Sequence, residues 1–153
     1  MKTVQRVCVL GATGSIGGNT LDVLSRHRDQ FEVFALTAAT RVDDMVRLCV
    51  QWRPRHAVMM SPESATELQR RLREVGVATE VLSGAQALID VAAHPEVDVV
   101  MGAIVGAAGL PPCLAAAKAG KKLVISGFHD TTGDPAKNAE LAKQRAFAVR
   151  DAL

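Results

Sequence analysis

Short runs of β-branched and aliphatic residues alternate along the chain with segments whose apolar positions recur at the helical period. This alternation is typical of parallel sheets whose strands are joined by crossover helices. The pattern predicts strands at Arg6–Leu10, Glu32–Leu36, Ala57–Met60, Glu80–Leu82, Asp98–Met101 and Leu123–Ser126. Because no repeat, low-complexity tract or linker interrupts it, we expect a single domain over residues 1–153, an open, doubly wound, mostly parallel α/β sheet with helices on both faces.

Two of the connecting segments carry clear helix boundaries. Ser61 followed by Pro62 supplies an N-cap and a proline at the first helical position, and Gly76 ends the segment. The apolar stripe between them consists of Ala65, Leu68, Leu72 and Val75. Pro111–Pro112 and Gly120 bracket a second helix in the same way.

The first predicted strand runs directly into a glycine-rich loop, Gly-Ala-Thr-Gly-Ser-Ile-Gly, and a helical segment follows. In this order Gly11 permits a tight turn, Gly14 lets the backbone approach a diphosphate, and Gly17 lets the helix pack closely. Strand, loop and helix together favour a Rossmann-like dinucleotide site. The candidate phosphate-binding residues are Gly11, Thr13, Gly14, Ser15 and Gly17.

The end of the second predicted strand discriminates between the two nicotinamide cofactors. An acid there would bind the ribose of NAD, but the sequence reads Thr37-Ala38-Ala39-Thr40-Arg41. Hydroxyls and the Arg41 guanidinium can accept the 2′-phosphate that NADP carries, so NADP is favoured over NAD. The alternative is that Arg41 is an ordinary solvated residue opening the next helix.

Composition and charge narrow the classes of function. With 18 basic and 16 acidic residues, the net charge of +2 gives no field of the kind that binds nucleic acid or a bilayer, and aromatic residues make up only 3%. Apolar runs are too short or too interrupted by Gly and Pro for a membrane span or a signal peptide, so we expect a cytoplasmic protein.

The titratable side chains predict neither a metal site nor a catalytic centre. Cys8, Cys49 and Cys113 are far apart, without a C-x-x-C motif or histidines at ligand spacing, so we expect reduced, mostly buried thiols and no metal. His56 lies in a charged stretch and His94 precedes a proline, which predicts solvated side chains for both.

The residues resemble the 1-deoxy-D-xylulose-5-phosphate reductoisomerases, NADPH-dependent enzymes of non-mevalonate isoprenoid synthesis, over residues 1 to about 122. The matching stretches are Val9–Gly17, Thr20–Val23, Phe34–Ala38, Glu80–Gly84 and Val100–Gly120. The resemblance implies diphosphate contacts at Thr13–Ile16 and a 2′-phosphate loop at Ala39, Thr40 and Arg41, of which Ala39 and Arg41 depart from the family pattern.

Beyond the next predicted strand, Gly127-Phe128-His129 stands where the family has Asn-Lys-Glu. The chain also reaches Leu153 before the family's metal-binding carboxylates and substrate domain. We therefore expect weak NADP(H) binding, no catalytic residues and no turnover by this stretch alone.

Residues 123–153 instead resemble a strand and helix of the peptidoglycan-binding domain of the outer-membrane-protein-A type. The matching positions are Gly127, Asp130, Gly133, Asn138, Leu141, Arg145, Ala146, Val149 and Leu153. In that family the residues matching Asp130 and Arg145 hold the charged ends of diaminopimelate, which makes them candidate substrate-binding residues. Two families meeting in one chain favour a recombined chain, a laboratory chimera rather than a natural fusion, with 123–153 a grafted βα unit.

Three functions remain open. The chain is a nucleotide-binding fragment without turnover, a folding scaffold without a ligand, or a small module that binds diaminopimelate-type amino acids through Asp130 and Arg145. An exposed apolar face left by the absent part of the family's protein predicts a possible homodimer.

Overall fold

The computed structural model describes residues 4–103 and 109–125, in which six strands alternate with five helices. The strands are β1 (Gln5–Leu10), β2 (Phe31–Ala38), β3 (His56–Met59), β4 (Glu80–Ser83), β5 (Val99–Gly102) and β6 (Lys122–Ile125). The helices are α1 (Ser15–Ser25), α2 (Val42–Trp52), α3 (Pro62–Glu74), α4 (Ala85–Ala92) and α5 (Leu110–Lys118). Every predicted strand is present, with ends that differ by at most two residues.

The six strands form one sheet in the order β4-β3-β2-β1-β5-β6, and every neighbouring pair is parallel. The chain moves outward from β1 to β4 and then returns to the other side of β1 to form β5. In such sheets ligands bind beyond the carboxyl ends of the strands at this reversal. The topology therefore places the functional cleft next to the carboxyl ends of β1, β2 and β5.

Two apolar layers cover the two faces of the sheet. Residues of α1, α2 and α3 pack with one face, among them Leu21, Met45 and Leu68. Residues of α4 and α5 pack with the other, including Val91 and Ala116. The predicted doubly wound α/β architecture with helices on both faces is confirmed.

Helix α3 begins as predicted but ends earlier than its apolar stripe suggested. The Ser61 hydroxyl accepts the Ser64 N–H at 3.2 Å, and Pro62 occupies the first turn. The prediction that Val75 belongs to the buried stripe is wrong. The helix stops at Glu74, so Val75 is 52% exposed, and Val77 beyond the turn is buried instead.

Helix α5 confirms the boundaries predicted from its two prolines and from Gly120, which adopts φ +76° after the helix ends. The helix expected in the βα unit of residues 123–153 lies outside the described residues. Among those that are described, no helix has the length and apolar character needed to cross a membrane.

The prediction of solvated histidines is wrong for His56 and His94. Both rings pack against Phe34, with centroids 5.3 Å and 4.7 Å from its ring, and the His56 side chain is only 16% exposed. Burial lowers the pKa of His56, although Glu80, 3.3 Å away, partly opposes the shift. The charged and turn-forming neighbours in the sequence suggested solvent exposure, but the fold brings Phe34 of β2 against both histidines.

Candidate functional site

The loop between β1 and α1 leaves a set of backbone amides free at the carboxyl edge of the sheet. Gly11 turns the chain with φ +80°, a conformation that favours glycine, and Gly14 is the N-cap of α1 without a side-chain cap. Within the described part of the chain, the amides of Ser15, Ile16 and Gly17 have no backbone acceptor. The first turn of α1 carries no acidic residue, so the positive end of the helix dipole is available to an anion.

Gly17 packs α1 directly against the start of this loop. A Cβ at Gly17 would lie 2.2 Å from the carbonyl oxygen of Gly11 and 2.8 Å from the Cα of Ala12. The neighbouring Gly18 has no atom within 4 Å of the same position. Only a glycine permits this approach at position 17, which agrees with the role expected from the motif.

Thr37 holds the same loop from the side of β2. Its hydroxyl accepts the Gly11 N–H at 2.9 Å, and its carbonyl oxygen accepts the Ala12 N–H at 2.7 Å. The expectation that the Thr37 hydroxyl contacts a 2′-phosphate is wrong, because β2 extends to Ala38 and leaves Thr37 only 1% exposed. Sequence reasoning missed this role because it ended the strand at Leu36, two residues too early.

Ala39, Thr40 and Arg41 follow β2 and lie exposed at the mouth of the cleft. Arg41 is the N-cap residue of α2 and its side chain is 69% exposed, so it opens the next helix as the alternative expectation states. Its contact with a 2′-phosphate stays a prediction. A cavity of about 340 Å³ lies over residues 40–44.

The charges around this strand end sum to a positive value. Arg41 and Arg47 both contact Asp44, at 3.4 Å and 2.9 Å, and Arg71 pairs with Asp43. Three guanidinium groups therefore face two carboxylates. The surplus positive charge suits a phosphate group.

A second, mostly apolar cavity of about 240 Å³ lies between the glycine loop and the ends of β2, β3 and β5. Its lining residues are Gly11, Thr13, Gly14, Thr37, Ala38, Ala39, Met60, Leu88 and Ala103. Met60, Leu88 and Ala103 were not predicted as site residues. Each follows a different strand or lies on α4, so only the strand order identifies them.

The remaining predicted site residues are not placed by the structure. Asp130 and Arg145 lie outside the described residues.

The side chains that commonly bind metals do not converge in the described ranges. No group of three His, Cys, Asp or Glu side chains there is arranged to hold a metal ion. All three cysteines are free and buried, and burial raises the pKa of each thiol. The free amides at the start of α1 and the guanidinium groups near Arg41 support binding of an anionic ligand.

Comparison with known proteins identifies the family. The family model for 1-deoxy-D-xylulose 5-phosphate reductoisomerase matches residues 7–127. The chain belongs to this reductoisomerase family. Both the glycine loop and the strand end at Ala39–Arg41 fall inside the match.

Individual reductoisomerases support this assignment. The reductoisomerase of Aromatoleum aromaticum is 58% identical over 123 residues, which are 80% of this chain and 30% of the relative. A reductoisomerase of Pseudomonas putida is 54% identical over 145 residues, covering 95% of this chain and 36% of the relative.

Solved reductoisomerase structures share the fold. The Zymomonas mobilis enzyme in complex with NADPH matches with a TM-score of 0.75 and 38% identity, over 81% of this chain and 32% of that one. A second reductoisomerase, in complex with fosmidomycin and magnesium, matches with a TM-score of 0.78 and 34% identity, over 96% and 35%. The chain thus spans about a third of the length of the reductoisomerases it matches.

Proposed function

We propose that the chain binds NADPH at the carboxyl edge of its sheet, as the cofactor-binding part of a reductoisomerase of isoprenoid synthesis. The observation that carries the proposal is the row of free amides at Ser15–Gly17, placed where the strand order reverses. The NADPH complex of the Zymomonas mobilis relative supports it.

The residues present fit the parts of the cofactor. The diphosphate would be held by the loop Gly11–Gly17, with the hydroxyls of Thr13 and Ser15 as additional donors. The apolar cavity beside Met60 and Leu88 suits the flat faces of an aromatic base such as adenine. When bound, NADPH supplies a hydride, whereas this chain supplies binding and orientation.

The 2′-phosphate would lie at Ala39, Thr40 and Arg41. The surplus of guanidinium groups at this strand end favours the additional charge of NADPH over NADH. Because the site is open, we expect a dissociation constant for NADPH no lower than about 1 μM, which corresponds to a binding free energy of ~8 kcal/mol.

Titration with NADPH and with NADH, followed by fluorescence, tests the proposal. Arg41→Ala is expected to reduce the preference for NADPH by about fivefold, the worth of one exposed charged contact. Arg26→Ala is the matched control, because Arg26 also contacts a single aspartate, Asp22, and is 71% exposed but lies at the end of α1 away from the site. Equal affinity for both cofactors in the unchanged protein, or equal effects of the two variants, would contradict the assignment.

We further propose that this stretch alone does not turn over. The described residues offer no donor set for the magnesium ion found in the relative with fosmidomycin, so we derive no step through a metal. The test is NADPH oxidation with 1-deoxy-D-xylulose 5-phosphate and Mg²⁺. Turnover above background would refute this expectation.

The recombined origin of residues 123–153 stays a prediction, and the comparisons supply no support for a second family there. The associated hypothesis is that Asp130 and Arg145 form a weak site for diaminopimelate. Calorimetry with diaminopimelate tests it: heat that saturates and is abolished by Arg145→Ala would support the site, whereas no saturable heat would exclude useful affinity.

A homodimer and a cytoplasmic location also stay proposals. Leu110 at the start of α5 is 54% exposed and is a candidate contact for a second copy. Light scattering during size-exclusion chromatography measures the oligomeric state, and cell fractionation measures the location.

A further inference from the structure

Thr37 and Thr79 are buried threonines, Thr37 near the carboxyl end of its strand and Thr79 just before the amino end of another. Thr79 precedes β4, and its hydroxyl donates to the carbonyl oxygen of Pro54 at 2.7 Å. Thr37 lies in β2 beside the candidate nucleotide site. A buried hydroxyl at this position is costly unless it has a partner, so its contact indicates what the residue does.

Thr37 accepts hydrogen bonds from two consecutive amides of the glycine loop, one through its carbonyl oxygen and one through its hydroxyl oxygen. The bond from Ala12 N–H to its carbonyl oxygen continues the backbone ladder between β1 and β2, and any residue at position 37 would supply it. The bond from Gly11 N–H goes to the hydroxyl, at 2.9 Å. Only Thr or Ser offers this acceptor without lengthening the side chain.

The loop is therefore held from two sides. From α1, the close approach of Gly17 fixes the carbonyl oxygen of Gly11. From β2, the Thr37 hydroxyl fixes the amide of the same residue. These two groups belong to the two peptide planes that flank Gly11, where the chain turns with φ +80°. The orientations of these planes set the direction in which the free amides of α1 point.

We infer that Thr37 is a positioning residue, whose hydroxyl preorganises the glycine loop for the diphosphate of the cofactor without contacting it. This inference rests on the proposed nucleotide-binding function. A loop held in its binding conformation before the ligand arrives avoids an ordering cost, which appears as tighter binding.

The test compares Thr37→Ser with Thr37→Ala, which differ only in the hydroxyl. We expect NADPH to bind Thr37→Ser within about twofold of the unchanged protein and Thr37→Ala about tenfold more weakly, the affinity equivalent of one buried hydrogen bond. Thr79→Ala is the matched control. It also loses a buried hydrogen bond, but it is expected to lower the melting temperature while leaving the NADPH dissociation constant unchanged.

Amide hydrogen exchange of the ligand-free protein gives a second readout. In Thr37→Ala the Gly11 amide is expected to exchange faster, while the Ala12 amide keeps its protection because its acceptor is backbone. Equal NADPH affinity of the Ser and Ala variants would overturn the inference, as would an equal loss in Thr79→Ala. If the unchanged protein does not bind NADPH, the proposed function fails, and unaltered Gly11 exchange in Thr37→Ala would separately refute the positioning of the loop.

Discussion

The contact between α1 and the glycine loop can be tested with the same substitution at two adjacent positions. Gly17 and Gly18 both lie inside α1, but only Gly17 faces the loop. Replacing either with alanine removes a flexible residue from a helix, which by itself stabilises the folded state by about 1 kcal/mol. The two variants therefore differ only in what the added methyl group meets.

The structure sets the size of the difference. At Gly18 the new Cβ has open space, so Gly18→Ala is expected to raise the free energy of unfolding by up to ~1 kcal/mol. At Gly17 the Cβ would be 2.2 Å from the Gly11 carbonyl oxygen, so the backbone of the loop or of α1 must move. Overpacking of this kind costs about 3 kcal/mol, which leaves Gly17→Ala less stable by ~2 kcal/mol after the helix gain.

Thermal unfolding with both variants measures this difference. For a chain of this size 1 kcal/mol corresponds to roughly 2–4 °C in melting temperature, so the two variants are expected to differ by about 6–12 °C, with Gly17→Ala the lower. We also expect Gly17→Ala, and not Gly18→Ala, to weaken NADPH binding, because the displaced loop is the diphosphate site. A Gly17→Ala protein as stable as Gly18→Ala would refute the close approach described above.

Two further predictions follow from the buried titratable groups. Burial lowers the pKa of His56, and the nearby His94 lowers it further, whereas Glu80 raises it. The net pKa is lower in the folded protein, so His56 takes up its proton at a higher pH in the unfolded chain. The free energy of unfolding is therefore expected to fall as the pH drops through about 6.5 towards the lower folded pKa. Urea unfolding of His56→Gln should show a shallower fall with pH, and the same pH dependence as in the unchanged protein would contradict the prediction. His27→Gln, at an exposed position, serves as control. Burial raises the pKa of Cys8 to about 12, so none of the three cysteines is expected to react with iodoacetamide at pH 8 until the protein is unfolded; rapid labelling of the native protein would show that the thiols are accessible.

Local features of the sequence were sufficient to predict an element or its end wherever a short segment fixes its own conformation. The cap at Ser61–Pro62 and the prolines before Gly120 predicted helix ends because capping involves only neighbouring residues. The motif Gly11–Gly17 predicted a strand, a loop and a helix for the same reason. Strand ends were less certain, since the length of β2 depends on its partners in the sheet.

The sequence by itself determined the alternation of strands and helices, the glycine loop and the absence of an acid at the end of β2. Tertiary structure alone decided that the Thr37 hydroxyl hydrogen-bonds the glycine loop, that Met60 and Leu88 line the same cavity, and that His56 packs on Phe34. These contacts join residues about 20 or more positions apart. They exist because parallel pairing places the same ends of distant strands side by side, and that order is a property of the assembled sheet rather than of any segment in it.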